Sequence, residues 1–366
     1  MILALRELRR QPRRFVTAAV VLTLLVVLLL FLGGLLDGLY LGSTGALRAQ
    51  RANLLVYSAD ANDSIIRSRI DPPTRARVQH APGVTAVNGL GITLTGTTVP
   101  GQRTLADTAV IGYQIAANGV PAPPHDGEAW ADRRLEAFGV RVGQTLGVGP
   151  QRVPVLVKGW VHDTNYLLQG ALWVSPPTWH HVQATSRPDA AVPPGTFAVL
   201  VVSGTPPAAQ LAQDIDSATE HATKTLTKGE AVLSSPGTRE QKSTFAGIID
   251  VTFLVVGLVV ALFFVLLTVE RIALYGVLKA LGAKTSRLLT GLITQAVVIG
   301  TAAFVVGELV TLGLAVVLPA KIPLILQPSR AASTYIGVVI AAVLGGSFSL
   351  RRIVRSDPVT AIGASN

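Results

Sequence analysis

The sequence predicts an α+β membrane protein with four transmembrane helices in a 1+3 arrangement and a large extracytoplasmic α/β domain inserted between helices 1 and 2. Of its 366 residues, 49% are hydrophobic and only 14% are charged, a charged fraction well below the roughly 25% of soluble domains. A membrane helix needs about 20 apolar residues to cross the hydrocarbon of a bilayer. Four apolar runs meet that length, and they cover residues 15–37, 248–269, 288–318 and 331–350.

The first apolar run follows the basic stretch "RRQPRRF", as in a secretory signal peptide. It is longer than the usual signal-peptide core of about 7–15 residues, and no convincing small-residue cleavage site follows it, so we expect an uncleaved helix. The segments outside the four predicted helices are an amphipathic lead at 1–14, the extracytoplasmic domain at 38–247, a short helix at 270–287, an outer loop at 319–330 and a tail at 351–366.

The charges predict how the chain is oriented in the membrane. Together, residues 1–14, 270–287 and 351–366 hold 12 basic and 3 acidic residues, whereas residues 38–247 hold 17 basic and 15 acidic residues. Loops rich in Lys and Arg stay on the cytoplasmic side of a membrane. We therefore expect a multi-pass protein of the cytoplasmic membrane with both termini inside. The same distribution favours contact with membrane lipid over binding to nucleic acid.

The 38–247 stretch predicts an ordinary mixed domain. The chain has no cysteine, which excludes disulfides and thiolate metal sites, and strands alternate with helices in the pattern. The predicted elements are a strand at 53–59, a helix capped by Asp71 that runs from Pro72 to about His80, a hairpin turning near Gly149–Gln151, a buried strand at 197–204 and a helix at 208–222 with Leu211, Ile215 and Ala218 on one face.

The segment "YGVLKALGAKTSRLL" (275–289) separates the second and third apolar runs. Gly282 is placed to end a short helix, and Thr285 or Ser286 is placed to cap the next one. Leucines at helical spacing give the short helix an apolar stripe, which consists of Leu274, Leu278 and Leu281. The residues alone leave two interpretations open, namely a docking element for a cytoplasmic protein and an interfacial helix that packs on lipid.

Three acids, Asp37, Asp250 and Glu308, interrupt the apolar runs. A charged side chain at the centre of a membrane helix costs about 2.5–3.5 kcal/mol. By the predicted topology, Asp37 and Asp250 lie at the outer interface, as simple polar residues or as cavity candidates. An intramembrane acid such as Glu308 is a functional candidate by default. It either lines a substrate cavity, pairs with Lys321 or Arg330, or forms a structural contact at a dimer seam.

Several stretches follow one recognisable pattern. "LALRELRRQPRRF" leads into the first apolar run, "ERIALYGVLKALGAKTSRLL" follows the second, and "RRIVRSDPVTAIGA" closes the sequence. "APGVTAVNGL" and "FGVRVGQTLGVGPQRVPVLVKGWVHDT" add to it between them. With the 1+3 layout, these motifs resemble the MacB/FtsX-type ABC exporter permeases, and the layout is similar to that of the DevC- and HrtB-like members. Tyr275 and Gln144 depart from the family pattern, which often has an acid at these two positions.

The resemblance implies a homodimer that binds two copies of a cytoplasmic ABC ATPase, with the 270–287 helix as the coupling contact. It also implies the permease subunit of an exporter, which moves a hydrophobic or amphipathic substrate such as haem, a lipid or a drug-like molecule outward by mechanotransmission. The coupling residues that it implies are Leu274, Tyr275, Leu278, Lys279, Leu281, Gly282, Lys284 and Arg287.

The chain itself shows no catalytic motif. It lacks the G-x-x-x-x-G-K-[ST] loop that cradles ATP phosphates, so ATP and Mg²⁺ are expected in the partner subunit and no cofactor in this chain. No metal site is expected, because His180 and His181 are adjacent and would point to opposite sides of a strand. Tyr40 and Tyr166 are candidates to ligate or stack on a porphyrin.

Two alternatives to an exporter stay open at this point. One is a non-transporting mechanotransmitter that regulates an extracellular enzyme or the release of a lipoprotein. The other is a membrane sensor whose outer domain binds a ligand. The three readings differ in whether an ATPase associates with the chain and in whether any substrate crosses the membrane.

Overall fold

The computed structural model describes residues 12–269, 285–319 and 322–354. The chain divides into two compact units. We call Leu39–Lys242 the sheet unit, and Met1–Gly38 together with Ser243–Asn366 the helical unit. The predicted α+β class is confirmed, since a mixed sheet lies between the first and second long helices.

Nine strands form the sheet of the sheet unit, and several short helices pack on it. The strands are β1 (Leu54–Ser58), β2 (Val84–Thr98), β3 (Ala106–Tyr113), β4 (Glu128–Asp132), β5 (Thr145–Val148), β6 (Val153–Val161), β7 (Gly170–Val174), β8 (Val199–Gly204) and β9 (Thr223–Thr227). The helices are α2 (Pro72–Gln79), α3 (Pro176–Ser186), α4 (Ala208–Ala218) and α5 (Lys228–Leu233).

The long strand β2 belongs to two parts of the sheet. The order β3-β7-β4-β6-β5-β2-β8-β1-β9 carries an additional β2–β3 pairing, so six strands close into a ring. Residues Leu90–Thr97 of β2 pair with β3, while Val84–Leu90 pair with β8 and continue into β1 and β9. Strand β2 therefore connects the ring to the open part of the sheet.

Alternation along the strands places the core. In β6, Val153, Val155 and Val157 are buried while Pro154, Leu156 and Lys158 are exposed, which is the period of two expected for a strand with one solvated face. Strand β7 is buried throughout. The hairpin predicted near Gly149–Gln151 is confirmed, because β5 and β6 pair antiparallel on either side of it.

The predicted helix at 72–80 is confirmed by its cap. The Asp71 carboxylate accepts a hydrogen bond from Thr74 N at 2.9 Å, and Pro72 stands in the first turn, where a missing N–H costs nothing. The helix predicted at 208–222 is shorter than expected and ends at Ala218. The reason is local, since Glu220 and His221 have positive φ angles of 55° and 60°, which a right-handed helix does not allow.

Helix α3 corrects the strand expected around His180 and His181. Ser175 caps this helix, Pro176 and Pro177 open it, and both histidines lie within it. Its Trp179 is only 1% exposed and donates from Nε1 to Thr93 Oγ1 at 3.0 Å. Its side chain packs against β2 and β3, because a Cβ at Gly91 would lie 2.3 Å from Trp179 Cζ2 and a Cβ at Gly112 would lie 2.4 Å from Trp179 Cβ.

Four long, mostly apolar helices account for most of the described part of the helical unit. They are α1 (Pro12–Arg48), α6 (Thr238–Val269), α7 (Thr285–Val317) and α8 (Pro328–Val354). Within the described residues, three stretches are long and apolar enough to cross a membrane, namely Ala19–Arg48, Thr238–Val259 and Ile293–Val317. Helix α8 coincides with the fourth predicted span but is not among these three.

The helices of the helical unit share one apolar core. Buried residues come from all four helices, among them Val26 of α1, Val256 of α6, Phe304 of α7 and Val338 of α8. Glycines allow the closest approaches, because a Cβ at Gly307 would lie 2.7 Å from Val26 Cγ1. Small residues serve this purpose in membrane helix packing generally.

The contact between Trp179 and the sheet predicts a strong effect of Gly112→Ala. The added methyl would lie 2.4 Å from Trp179 Cβ, and overpacking of this kind costs about 1–3 kcal/mol. We expect the free energy of unfolding of the sheet unit to fall by that amount in urea titrations of the full chain. Tryptophan fluorescence is a suitable readout, since Trp130, Trp160, Trp173 and Trp179 all lie in this unit.

Gly229→Ala is the matched control for this substitution. Gly229 lies in α5 with no atom within 4 Å of the added Cβ, and alanine is favoured over glycine in helices by up to about 1 kcal/mol. Equal losses in both variants would contradict the packing role assigned to Gly112.

Candidate functional site

An ion pair joins α1 to the start of α8. Arg330 Nε donates to Asp37 Oδ2 at 3.0 Å, and Arg330 Nη2 donates to Asp37 Oδ1 at 2.5 Å. This two-point contact matches the planar guanidinium to the carboxylate and orients both. The side chains are 28% and 14% exposed for Arg330 and Asp37. The sequence predicted that the first membrane helix ends at Asp37. This prediction is wrong, because α1 continues without a break to Arg48.

Glycines of α1 make room for the segment that carries Arg330. This segment links α7 to α8, and Ile325 N donates to Gly34 O at 3.0 Å. At Gly38, a Cβ would lie 1.7 Å from Pro323 O, so no other residue fits there without displacing the backbone. Residues 323–330 are thus held along α1 by direct backbone contact. The Asp37–Arg330 ion pair joins the same segment to α1 through side chains.

Glu308 lines a cavity beside this ion pair. The cavity has a volume of about 240 Å³ and lies between α1, α7 and the beginning of α8. Its lining includes Leu30, Glu308, Thr311, Leu312, Gln327 and Arg330. Arg330 is paired with Asp37 and not with Glu308. Within the described residues, Glu308 has neither a hydrogen bond nor an ion pair, while Lys321 lies outside them.

The other membrane candidates do not join this cluster. Asp250 lies on α6 with its side chain exposed, and it does not line the cavity. Tyr40 belongs to the sheet unit, where it packs against a buried cluster that contains Tyr57 and Tyr166. Tyr166 itself is 0% exposed, so it presents no surface on which a porphyrin would stack.

Most of the expected coupling residues lie outside the described part of the chain, namely Leu274, Tyr275, Leu278, Lys279, Leu281, Gly282 and Lys284. Arg287 lies in the first turn of α7, which begins at Thr285. The cap predicted at Thr285 or Ser286 stays a prediction, because residues 270–284 lie outside the described residues.

The histidines, all at positions 80–221, do not assemble into a metal centre. Within the described residues, no group of three or more His, Cys, Asp or Glu side chains lies close enough to hold a metal ion. His180 instead packs between aromatic rings, 4.7 Å from the centroid of Trp179 and 5.8 Å from that of Phe197. Neither ring nitrogen of His180 has a hydrogen-bond partner.

Burial lowers the pKa of His180 below its ordinary value. The charged imidazolium is disfavoured because it would lose its hydration among apolar rings. His180 therefore makes the sheet unit sensitive to acid.

Sequence reasoning found Asp37 and Glu308 but missed what surrounds them. The partner of Asp37 stands 293 positions away in the chain, so no local pattern predicts the pairing. A usable signal was present in "GGLLDG" (33–38), where glycines flank the acid on one face of a helix. Such glycines indicate a close approach of another backbone.

Comparisons with known proteins bear on the part of the chain that holds this cluster. Residues 247–358 match the model of the FtsX-like permease C-terminal region. An uncharacterised ABC transporter permease of Mycobacterium tuberculosis H37Rv is 27% identical over 98% of both chains. The chain contains an FtsX-like permease C-terminal region.

Other similarities cover less of the chain. A putative hemin transport system permease protein, HrtB of Staphylococcus haemolyticus, is 30% identical over 111 residues, which are 30% of this chain and 32% of that protein. The periplasmic region of MacB from Actinobacillus actinomycetemcomitans covers 50% of this permease and 91% of its own chain, with 11% identity and a TM-score of 0.34. A TM-score of this size does not establish a common fold.

The Asp37–Arg330 pair predicts strong coupling between the two side chains. Asp37→Asn leaves a half-buried guanidinium without its counter-charge, and Arg330→Gln leaves the carboxylate alone. Losing one partner of a buried pair costs about 3–5 kcal/mol, which we discount to about 1–3 kcal/mol because Arg330 is partly exposed. We expect the double variant to be more stable than the sum of the single losses implies.

The measurement is thermal stability of the full chain in detergent, followed by the fraction that stays monodisperse on size exclusion. The Arg48–Asp163 pair of the sheet unit, whose aspartate is 56% exposed, is the control and should show little coupling. Strictly additive losses at Asp37 and Arg330 would contradict a stabilising pair.

A second prediction concerns acid sensitivity of the sheet unit. The folded-state pKa of His180 is below the ordinary value of 6.5, so the unfolded chain binds more protons at that position as the pH falls. Stability is therefore fully present above pH 6.5 and decreases as the pH falls below it. His180→Phe should flatten the dependence of the unfolding free energy on pH between 7.5 and 5. Parallel curves for the wild type and His180→Phe would refute this assignment.

Proposed function

We propose that this permease is the transmembrane subunit of an ATP-driven exporter that moves a hydrophobic or amphipathic substrate outward. The observation that carries the proposal is the FtsX-like permease region at 247–358. It contains most of α6, all of α7 and α8, the segment expected to contact an ATPase, and both Glu308 and Arg330. The mycobacterial relatives named as ABC transporter permeases, which match over 98% of the chain, support the same reading.

The membrane orientation follows from the apolar helices and from the charges around them. Helices α1, α6 and α7 supply stretches long enough to span a bilayer. The basic segments 1–14, 270–287 and 351–366 then face the cytoplasm under the positive-inside rule. In this orientation the sheet unit is extracytoplasmic, and the Asp37–Arg330 pair lies toward the outer side.

The exposed face of α6 supports contact with lipid or with a second copy of the permease. Val251, Leu254, Leu258 and Leu262 are 61%, 64%, 61% and 71% exposed and recur at helical spacing. A continuous apolar stripe of this kind is unfavourable in water. We propose that part of it forms the seam of a homodimer and that the remainder faces acyl chains.

The 270–287 segment is the proposed contact with two ATPase subunits, which supply ATP and Mg²⁺. Its leucine stripe would enter a groove on the ATPase, while Lys279, Lys284 and Arg287 meet an acidic rim or lipid phosphates. Closure of the ATPases would move the inner ends of α6 and α7. Since α7 also carries Glu308, the same movement would reshape the cavity beside the ion pair.

The substrate class rests on chemistry and on one relative. The relative named as a hemin transport permease favours haem, while a cavity lined by Leu30, Leu312 and Leu326 beside Glu308 suits any molecule with an apolar body. We therefore propose haem, a lipid or a drug-like amphiphile as the transported molecule.

Leu278→Asp tests the coupling contact. The aspartate would place a charge in the centre of the leucine stripe, so we expect it to abolish co-purification with the proposed ABC ATPase partner. Leu105→Asp is the control, because Leu105 is already 60% exposed in the sheet unit and its substitution should leave the complex intact. A complex that survives Leu278→Asp would refute the docking assignment.

The wild-type complex then decides between transport and its alternatives. An exporter is supported if haem, a lipid or a drug stimulates ATP hydrolysis and if the same compound is lost from vesicles loaded with it. An ATPase complex that moves none of them favours a mechanotransmitter that drives an extracellular enzyme. Failure of any ATPase to associate would leave only the membrane sensor.

A further inference from the structure

The charges around the Glu308 cavity do not cancel. Arg330 forms both of its short contacts with Asp37, so one positive charge is matched by one carboxylate. Glu308 adds a second carboxylate that no side chain among the described residues neutralises. Among the described residues, the cavity lining and its ion pair thus have one more carboxylate than guanidinium groups, and an unpaired polar group is costly away from water.

The remaining lining offers acceptors and apolar surface. Thr311 lines the cavity, is 1% exposed and donates its hydroxyl to Gly307 O at 2.8 Å. A hydroxyl that donates in this way can still accept a hydrogen bond from an N–H group. Leu30, Leu312 and Leu326 supply the apolar wall. Such a lining suits a cationic nitrogen that donates hydrogen bonds and is attached to an apolar body.

The size and surroundings of the cavity define how much of that body enters. A volume of about 240 Å³ is below the range of roughly 300–1,000 Å³ that encloses drug-sized ligands, so it holds a head group. The face of α7 next to Glu308 is apolar and open, since Val305, Leu309 and Leu312 are 49%, 64% and 46% exposed. A tail attached to the head group would lie along this face among lipid chains.

We propose that this cavity binds the ammonium head group of an amphiphilic amine, with Glu308 as its counter-ion and Thr311 as a second acceptor. The bound cation balances the carboxylate of Glu308, which Arg330 does not balance because it is paired with Asp37. An anionic amphiphile is excluded by the same charges, because the guanidinium is already engaged. This inference rests on the proposed function and narrows its substrate classes to cationic amphiphiles, which leaves out haem because haem carries two carboxylates.

The test measures binding to the full chain without any ATPase, so its failure would leave the export proposal standing. The purified permease is placed in nanodiscs of phosphatidylcholine, whose head group has no N–H donor. Saturable binding of radiolabelled dodecylamine is then compared with that of dodecanol and dodecyl sulfate. We expect saturable binding of the amine alone, and equal binding of all three probes would overturn the proposal.

Two substitutions locate the site. Glu308→Gln keeps the shape of the side chain and removes its charge, and we expect the affinity for dodecylamine to fall about 10- to 100-fold, as for the loss of a hydrogen bond to a charged group. Thr311→Val should lower the affinity several-fold. Asp250→Asn is the matched control, since it removes a carboxylate of the same unit outside the cavity and should change nothing.

Unchanged affinity in both Glu308→Gln and Thr311→Val would also overturn the proposal, provided that both variants elute as the wild type does on size exclusion. Nanodiscs that contain phosphatidylethanolamine separate the two sources of an ammonium group. Competition by that lipid identifies a membrane lipid as the natural ligand, and undiminished dodecylamine binding identifies a foreign amine.

Discussion

The helical unit depends on one compensated pair of charges, Asp37 with Arg330. Each group alone would be costly to bury, and together they form a two-point contact that a lysine would not reproduce. The pair ties the first long helix to the last, across nearly the whole length of the sequence. It also sets the charge of the neighbouring cavity, because an arginine engaged by Asp37 is not available to Glu308.

This constraint explains why glycines gather on one side of α1. A guanidinium that reaches Asp37 must be carried by a backbone close to the helix, and residues 323–330 lie there only because Gly34 and Gly38 present no side chains. The glycines lower the intrinsic helix stability by up to about 1 kcal/mol each relative to alanine. That loss is offset by the contacts and the ion pair that the close approach permits.

Local features of the sheet unit were predictable from the sequence because their causes are local. The Asp71 cap with its following proline, the alternation in β6 and the turn at Gly149–Gln151 all follow from neighbouring residues. The strand expected around His180 was wrong for an equally local reason, since Ser175 followed by two prolines is a helix start. This cap and its prolines predict a helix more strongly than the two adjacent histidines predict a strand.

The features that could not be predicted are those that join distant positions. Glu308 was recognised as a candidate because it is an acid within an apolar run. Neither its cavity nor the pairing of Arg330 with Asp37 can be predicted from periodicity or spacing. The ring of six strands is a similar case, because each strand reads as a strand while the pairing of β2 with β3, β5 and β8 is decided by the tertiary fold.

The position of β1 in the sheet has a consequence for how this protein is made. Leu54 pairs with Val202 on one side and with Thr227 on the other, so the strand nearest the N-terminus waits for residues synthesised much later. Pairings over such sequence separations form slowly, and an unpaired strand edge is a site of misassociation in the meantime. Cleavage by a protease or capture by a chaperone during synthesis would therefore act most strongly on chains in which β9 has not yet been made.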